Sequence, residues 1–133
     1  MLNRCLGKAA FLVIPLAFLC LAPASPAQSL SISPASMRLD THVDDPGQGI
    51  FIVTNNGSTS VDMGPIYFES GNYFFVTYTD CSTLASGAQC AIHVEFAPGN
   101  DCLVSLTQYD TLDVGHTGGF LYADVTGHQD SCY

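Results

Sequence analysis

The sequence predicts an all-β protein, a single sandwich of about seven antiparallel strands stapled by disulfides. Three observations carry this expectation. No stretch keeps the period of an amphipathic helix; short apolar runs recur instead between turn residues, the pattern of a two-sheet sandwich. Within residues 75–98 two such runs flank a turn containing Gly87, with Cys81 on one arm and Cys90 on the other. Ile92, Val94 and Phe96 alternate with Ala91, His93 and Glu95, as in a strand with one buried and one wet face.

The chain has 133 residues, and the first 27 are expected to lie outside the fold. Arg4 and Lys8 form a basic head, and residues 9–22 are an almost unbroken apolar run. Ser25-Pro26-Ala27 then gives the small-x-small pattern of a signal-peptidase site, with cleavage before Gln28. The apolar run is short for a bilayer span. Residues 1–27 are therefore read as a signal peptide and residues 28–133 as one domain, a length that suits one core and not two.

Along that domain, Leu30 and Ile32 alternate with serines before Pro34, which ends or kinks a first edge strand continued by Met37 to Leu39. Residues 41–49, with His42, Asp44, Asp45, Pro46 and Gly47, have loop composition. Gly49 to Gly57 form a second strand and its exit turn, with Asn56-Gly57 a pair suited to positive φ in a tight turn. The third strand, Val61 to Phe68, carries Gly64-Pro65 and is expected to bulge there or to lie at an edge. Tyr73 to Thr79 and Ala91 to Phe96 are the fourth and fifth. After a turn at Pro98-Gly99-Asn100-Asp101, Leu103 to Leu112 and Phe120 to Val125 supply the last strands, closed by Gly127.

Removing the leader leaves all twelve acidic residues against Arg38 alone. Phosphate binding needs clustered Lys and Arg, so nucleic acid and anionic lipid surfaces are poor partners for this chain, and no nucleic acid is expected. It also leaves four of the six cysteines, Cys81, Cys90, Cys102 and Cys132. Even-numbered cysteines in a short exported chain argue for disulfides, and four allow three pairings. The two hairpin arms favour Cys81 with Cys90, which leaves Cys102 with Cys132. Zinc is not expected, because no two of them have C-x2-C spacing.

Catalytic and ligand candidates are few. His93 and Glu95 share a strand face but lack the third and fourth ligands of a metal site. His42, Asp44 and Asp45 lack calcium-loop spacing. His116 and His128 stand beside glycines and read as turn residues. There is no G-x-S-x-G elbow, and the cysteines are committed to bridges. The aromatic runs Tyr67-Phe68 and Tyr73-Phe74-Phe75, with Tyr78, are more informative: alternate members must face the core, and the rest form an outward patch near acidic groups. No catalytic residue, cofactor or metal is assigned.

The chain resembles immunoglobulin-like domains of the abnormal-spindle/Hydin and major-sperm-protein type, in particular bacterial secreted choice-of-anchor D modules. The resemblance rests on Ile32-Ser33-Pro34, on Phe51-Ile52-Val53-Thr54-Asn55-Asn56-Gly57-Ser58, on the series Phe75-Val76, Cys81, Leu84, Gly87, Cys90, Ile92, Val94, Phe96, Pro98, and on Val125-Thr126-Gly127. It spans residues 30–127; the stretch from Asn100 to Gly119 departs from it by its length and by Cys102. It implies an immunoglobulin-like sandwich that acts as an interaction or spacer unit. The function expected is an exported, non-enzymatic module, secreted or periplasmic in a bacterium, binding a protein or surface partner. The alternatives are a chaperone-like subunit working through an open edge at Leu30 to Leu39 and, less favoured, a small hydrolase.

Overall fold

The computed structural model describes residues 29–42, 45–99 and 105–131, so the expected leader and the expected Cys102–Cys132 bridge lie outside the described residues. The described residues hold nine strands and no helix. In order these are β1 (Leu30–Ser33), β2 (Ser36–Thr41), β3 (Gly47–Asn55), β4 (Val61–Phe68), β5 (Phe74–Thr79), β6 (Thr83–Leu84), β7 (Gln89–Phe96), β8 (Leu106–His116) and β9 (Gly119–Gln129). They form a four-stranded sheet ordered β1-β3-β7-β5 and a five-stranded sheet ordered β2-β9-β8-β4-β6. The result is the immunoglobulin-like sandwich that the sequence predicts, with nine strands where about seven are expected and one parallel ladder where all are expected antiparallel.

The expected first strand divides where Pro34 interrupts it. β1 joins the four-stranded sheet and β2 the five-stranded one, with a cis Ser33–Pro34 peptide between them. β2 runs parallel to β9, from Ser36 opposite Asp124 to Thr41 opposite Gln129, while the other ladders are antiparallel. Gly64-Pro65 bulges as expected: the β4–β8 register shifts between Met63 and Ile66. The turn after β3 differs from expectation. Gly57 is not among the glycines with positive φ. The Asn55 side chain holds the turn instead, its Oδ1 accepting from the Gly57 N–H at 3.0 Å.

The core lies between the inner faces. Phe51 and Val53 of β3, with Ile92, Val94 and Phe96 of β7, meet Leu112 and Val114 of β8 and Val125 of β9, and each is at most 1% exposed. Phe68, Phe74 and Phe96 stack in series, with centroids 5.4 and 4.9 Å apart. Gly127 of β9 lies directly under the Phe96 ring, where a Cβ would overlap it.

The cysteine hairpin is as the sequence predicts. β5 pairs with β7, and the register Thr79 opposite Ile92 brings Cys81 to Cys90; their Cα atoms are 5.0 Å apart and the sulfurs are bonded. Gly87 takes the turn with φ +76°. Between the two cysteines the chain leaves this sheet, because β6 pairs with Val61 and Asp62 of β4 in the other. The bridged loop therefore spans both layers.

Candidate interaction surface

The outer face of the five-stranded sheet collects residues that alternate with the core. In β9 the buried Ala123 and Val125 alternate with Phe120, Tyr122, Asp124 and Thr126 on the outer face. In β8 the buried Leu112 and Val114 flank Asp113. The register sets Asp113 opposite Tyr122 on one side and Tyr67 of β4 on the other. Phe120 stands opposite Gly115, which has no side chain to oppose it. Its ring meets Tyr67 edge-on, with centroids 6.5 Å apart, and stacks on Tyr122 at 6.4 Å.

Three rings thus frame one carboxylate. Tyr67, Phe120 and Tyr122 are 45%, 43% and 58% exposed, whereas Asp113 is 8% exposed. Partial burial, then the charge of Asp113 and a hydrogen bond with its carboxylate, raises the pKa of the Tyr67 phenol above its ordinary value; Tyr122 and Glu69 add to the effect. Along the same face a cleft of about 600 Å³ runs past Glu69, Tyr109, Asp110, Asp124 and Thr126.

Asp110 in that cleft has a structural task. Its carboxylate accepts hydrogen bonds from the Ser70 hydroxyl and from the Ser70, Gly71 and Thr111 N–H groups, the last three at 3.0, 3.2 and 2.8 Å. Desolvation pushes its pKa up, but these bonds outweigh that and hold it below the usual aspartate value.

The opposite face of the sandwich carries the expected His93 and Glu95, on one side of β7 and half-buried rather than fully wet. His93 lies between Ile50 and Tyr78 in register, with the Tyr78 ring edge-on at 5.4 Å. A cleft lined by Gln48, Ile50, Thr77, His93 and Glu95 opens there. A third cleft, at one end of the sandwich, includes His42, Asp45, Glu95 and Pro98; His42 and Asp45 form an isolated bridge, while Asp44 lies outside the described residues. Asp80, Cys81 and Cys90 converge, but both sulfurs are in the disulfide and Asp80 accepts from the Ala91 N–H at 2.7 Å. Of the aromatics in those runs, Tyr67 and Phe75 are exposed while Phe68 and Phe74 are buried, as alternation requires; Tyr78 is exposed because the β5–β7 register shifts between Val76 and Tyr78.

His128 corrects the sequence reading, which made it a turn residue. It lies within β9 across from Thr107. Its Nδ1 is 2.9 Å from Thr107 Oγ1, and its Nε2 is 2.9 Å from Asp130 Oδ1. Hydroxyl, imidazole and carboxylate in line have the connectivity of a hydrolase relay. This one lies on a strand surface outside the clefts described above, with Asp130 66% exposed. Phe120, Tyr122 and Asp113 were also not singled out from sequence. Alternation in Phe120-Leu121-Tyr122-Ala123 marks the two rings as outward; their meeting with Tyr67 and Asp113 depends on a register that alternation does not give.

Solved structures share this architecture. The ASH/PapD-like domain of human CEP192 matches with a TM-score of 0.54 at 17% identity, over 96% of this chain and 99% of that one. WR4, a C. elegans MSP family member, matches with a TM-score of 0.51 at 7% identity, over 80% of this chain and 100% of that one. The periplasmic chaperone SfaE matches with a TM-score of 0.50 at 10% identity, over 79% of this chain and 58% of that one. The likeness shows the fold alone. The secreted serine protease VesC from Vibrio cholerae also matches, with a TM-score of 0.52 at 20% identity over 77% of this chain, but the chain spans only 23% of its length. No protein-family profile matches the sequence, and no curated protein does.

Proposed function

We propose that the protein is an exported, non-catalytic interaction or structural module of the cell envelope or extracellular space, binding a protein or surface partner through the outer face of its five-stranded sheet. The observation that carries this reading is the frame of Tyr67, Phe120 and Tyr122, three contiguous rings held half-exposed on a rigid sheet. Aromatic side chains are enriched at protein interfaces, and contiguous exposed apolar surface marks an interaction site. Export is supported by the leader pattern over residues 1–27, by the Cys81–Cys90 bridge, which persists in oxidising compartments, and by a periplasmic chaperone among the fold neighbours. The choice-of-anchor D resemblance in the sequence favours a bacterial cell surface or periplasm. ASH/PapD-like and MSP neighbours favour binding over catalysis, although a fold alone does not fix function.

Edge-strand pairing is the second reading. The edge expected from Leu30 to Leu39 is divided between two sheets, so neither piece offers a long template. The edge formed by β5 is interrupted by a register shift between Val76 and Tyr78, which blunts it. The face is the better-formed surface. Capture from the protein's own cell envelope by immobilised wild type and by a Phe120→Ala/Tyr122→Ala variant tests the proposal. Loss of the captured partner in a variant that still unfolds cooperatively is expected; undiminished capture overturns the reading.

A further inference from the structure

The aromatic frame encloses a polar atom with nothing to bind. Asp113 Oδ1 is buried and has no hydrogen-bond partner, the one such side-chain atom among the described residues. A buried carboxylate oxygen without a donor is costly, and the carboxylate's neighbours here are aromatic rings and the Tyr67 phenol, whose hydrogen bond to the same carboxylate leaves Oδ1 unmet. The described residues have no cation to offer it. Among the described residues Arg38 is the only Lys or Arg; it lies on β2, beyond β9 from Asp113, and its Nε donates to Asp40 at 2.7 Å. A metal ion fits poorly, because a lone carboxylate among rings lacks the several oxygen ligands that hard cations require.

We infer that this site receives an arginine side chain from a basic segment of the partner protein, its guanidinium lying against Tyr67, Phe120 and Tyr122 and donating to Asp113 as the rings shift to uncover Oδ1. This deepens, and rests on, the reading of the aromatic face as the partner surface. Guanidinium is planar, stacks on aromatic faces, carries five donors in a fork that suits a carboxylate, and is more weakly hydrated than ammonium. Each property matches one feature of the site: the rings, the unmet oxygen and the partial burial. The adjoining cleft adds charge complementarity, since Glu69, Asp110 and Asp124 line it and would flank a basic segment continuing from the arginine.

The test titrates the isotope-labelled purified protein, followed by NMR, with a flexible Gly-Ser peptide carrying three arginines, and with the same peptide carrying lysine or citrulline. Citrulline keeps the shape of the side chain and removes its charge. The arginine peptide is expected to shift the amide signals of Tyr67, Asp113, Phe120 and Tyr122, with the citrulline peptide at least about ten-fold weaker and lysine intermediate. Asp113→Asn is expected to weaken arginine binding about ten-fold while its thermal unfolding stays cooperative. Equal binding of the citrulline or lysine peptide, signal shifts confined to another face, or undiminished binding by Asp113→Asn overturns the inference. Envelope capture separates it from the broader proposal. If Phe120→Ala/Tyr122→Ala loses the partner and Asp113→Asn keeps it, the face stands and the arginine site falls; if both keep it, both fall.

Discussion

Asn55 does more structural work than its polar side chain suggests. It is fully buried, and its Nδ2 donates to the carbonyls of Thr59, Leu84 and Ala85 at 2.8, 2.9 and 3.2 Å. One side chain therefore satisfies the end of β3, the turn after it and the strand β6 that crosses between sheets. Asn55→Ala should cost about 2–3 kcal/mol, because it strands buried carbonyls as well as removing bonds. Asn55→Asp should cost at least as much, since a carboxylate cannot donate to them; urea unfolding of the two variants checks this. Asp110 supports a pH prediction. Its folded pKa lies below the unfolded value, so its contribution is present above about pH 4 and is lost as pH falls through the folded value. Asp110→Asn should lower stability at pH 7 by about 1 kcal/mol, allowing for solvent screening, and should flatten the acid side of the stability curve. Unfolding midpoints measured from pH 7 down to pH 2 test both halves. At this scale the sequence showed that the aromatics in each pair face opposite ways, because Tyr67 and Phe68 must part company on a strand. It did not show the partners across the sheet. Asp113 carries no signal of its own between Leu112 and Val114 until the ladders set it between Tyr67 and Tyr122.

Among the elements, β9 shows why glycine misled the reading of the last strands. Gly127 looked like a terminator, and His128 after it like part of a turn, yet the strand continues to Gln129. The glycine is there because the Phe96 ring from the opposite sheet occupies the space a side chain would need. Gly127→Ala should therefore destabilise by about 1–3 kcal/mol through overpacking, despite removing a flexible residue. A lower thermal midpoint with unchanged backbone circular dichroism is the expected result; equal or higher stability would show that the Phe96 ring can yield. The same element explains what was legible elsewhere. Strict alternation made β7 readable residue by residue, and Gly64-Pro65 announced the bulge in β4. The crossing from β1 to β2 was visible only as a kink, since no local signal says which sheet each half will join.

For the molecule as a whole, the Cys81–Cys90 bridge acts on both layers, because the loop it closes sends β6 across to β4. By the chain-entropy model, closing so short a loop stabilises by about 2.5–3 kcal/mol. Cys81→Ser/Cys90→Ser should lose about that much, and hydrogen exchange should rise in β6 and in β4 around Val61 as well as in β5 and β7. Protection lost only in β5 and β7 would show that the sheets are not coupled through the loop. Fold class and the bridge were open to sequence reasoning because both follow from local pattern. The candidate site was half open: its rings follow from alternation, whereas its carboxylate and its shape follow from the long β8–β9 hairpin, in the stretch where the family resemblance lapses.

The parallel pairing of β2 with β9 bears on how the domain would carry load. Tension applied ahead of β2 and beyond β9 pulls the two strands along their length in opposite directions. The ladder from Ser36–Asp124 to Thr41–Gln129 then loads together in shear, whereas an antiparallel terminal hairpin would peel open one pair at a time. A module tethered at both ends at a cell surface would therefore resist extension through this six-residue seam, and its rupture force, read by single-molecule stretching, should fall when Met37→Pro removes a seam hydrogen bond.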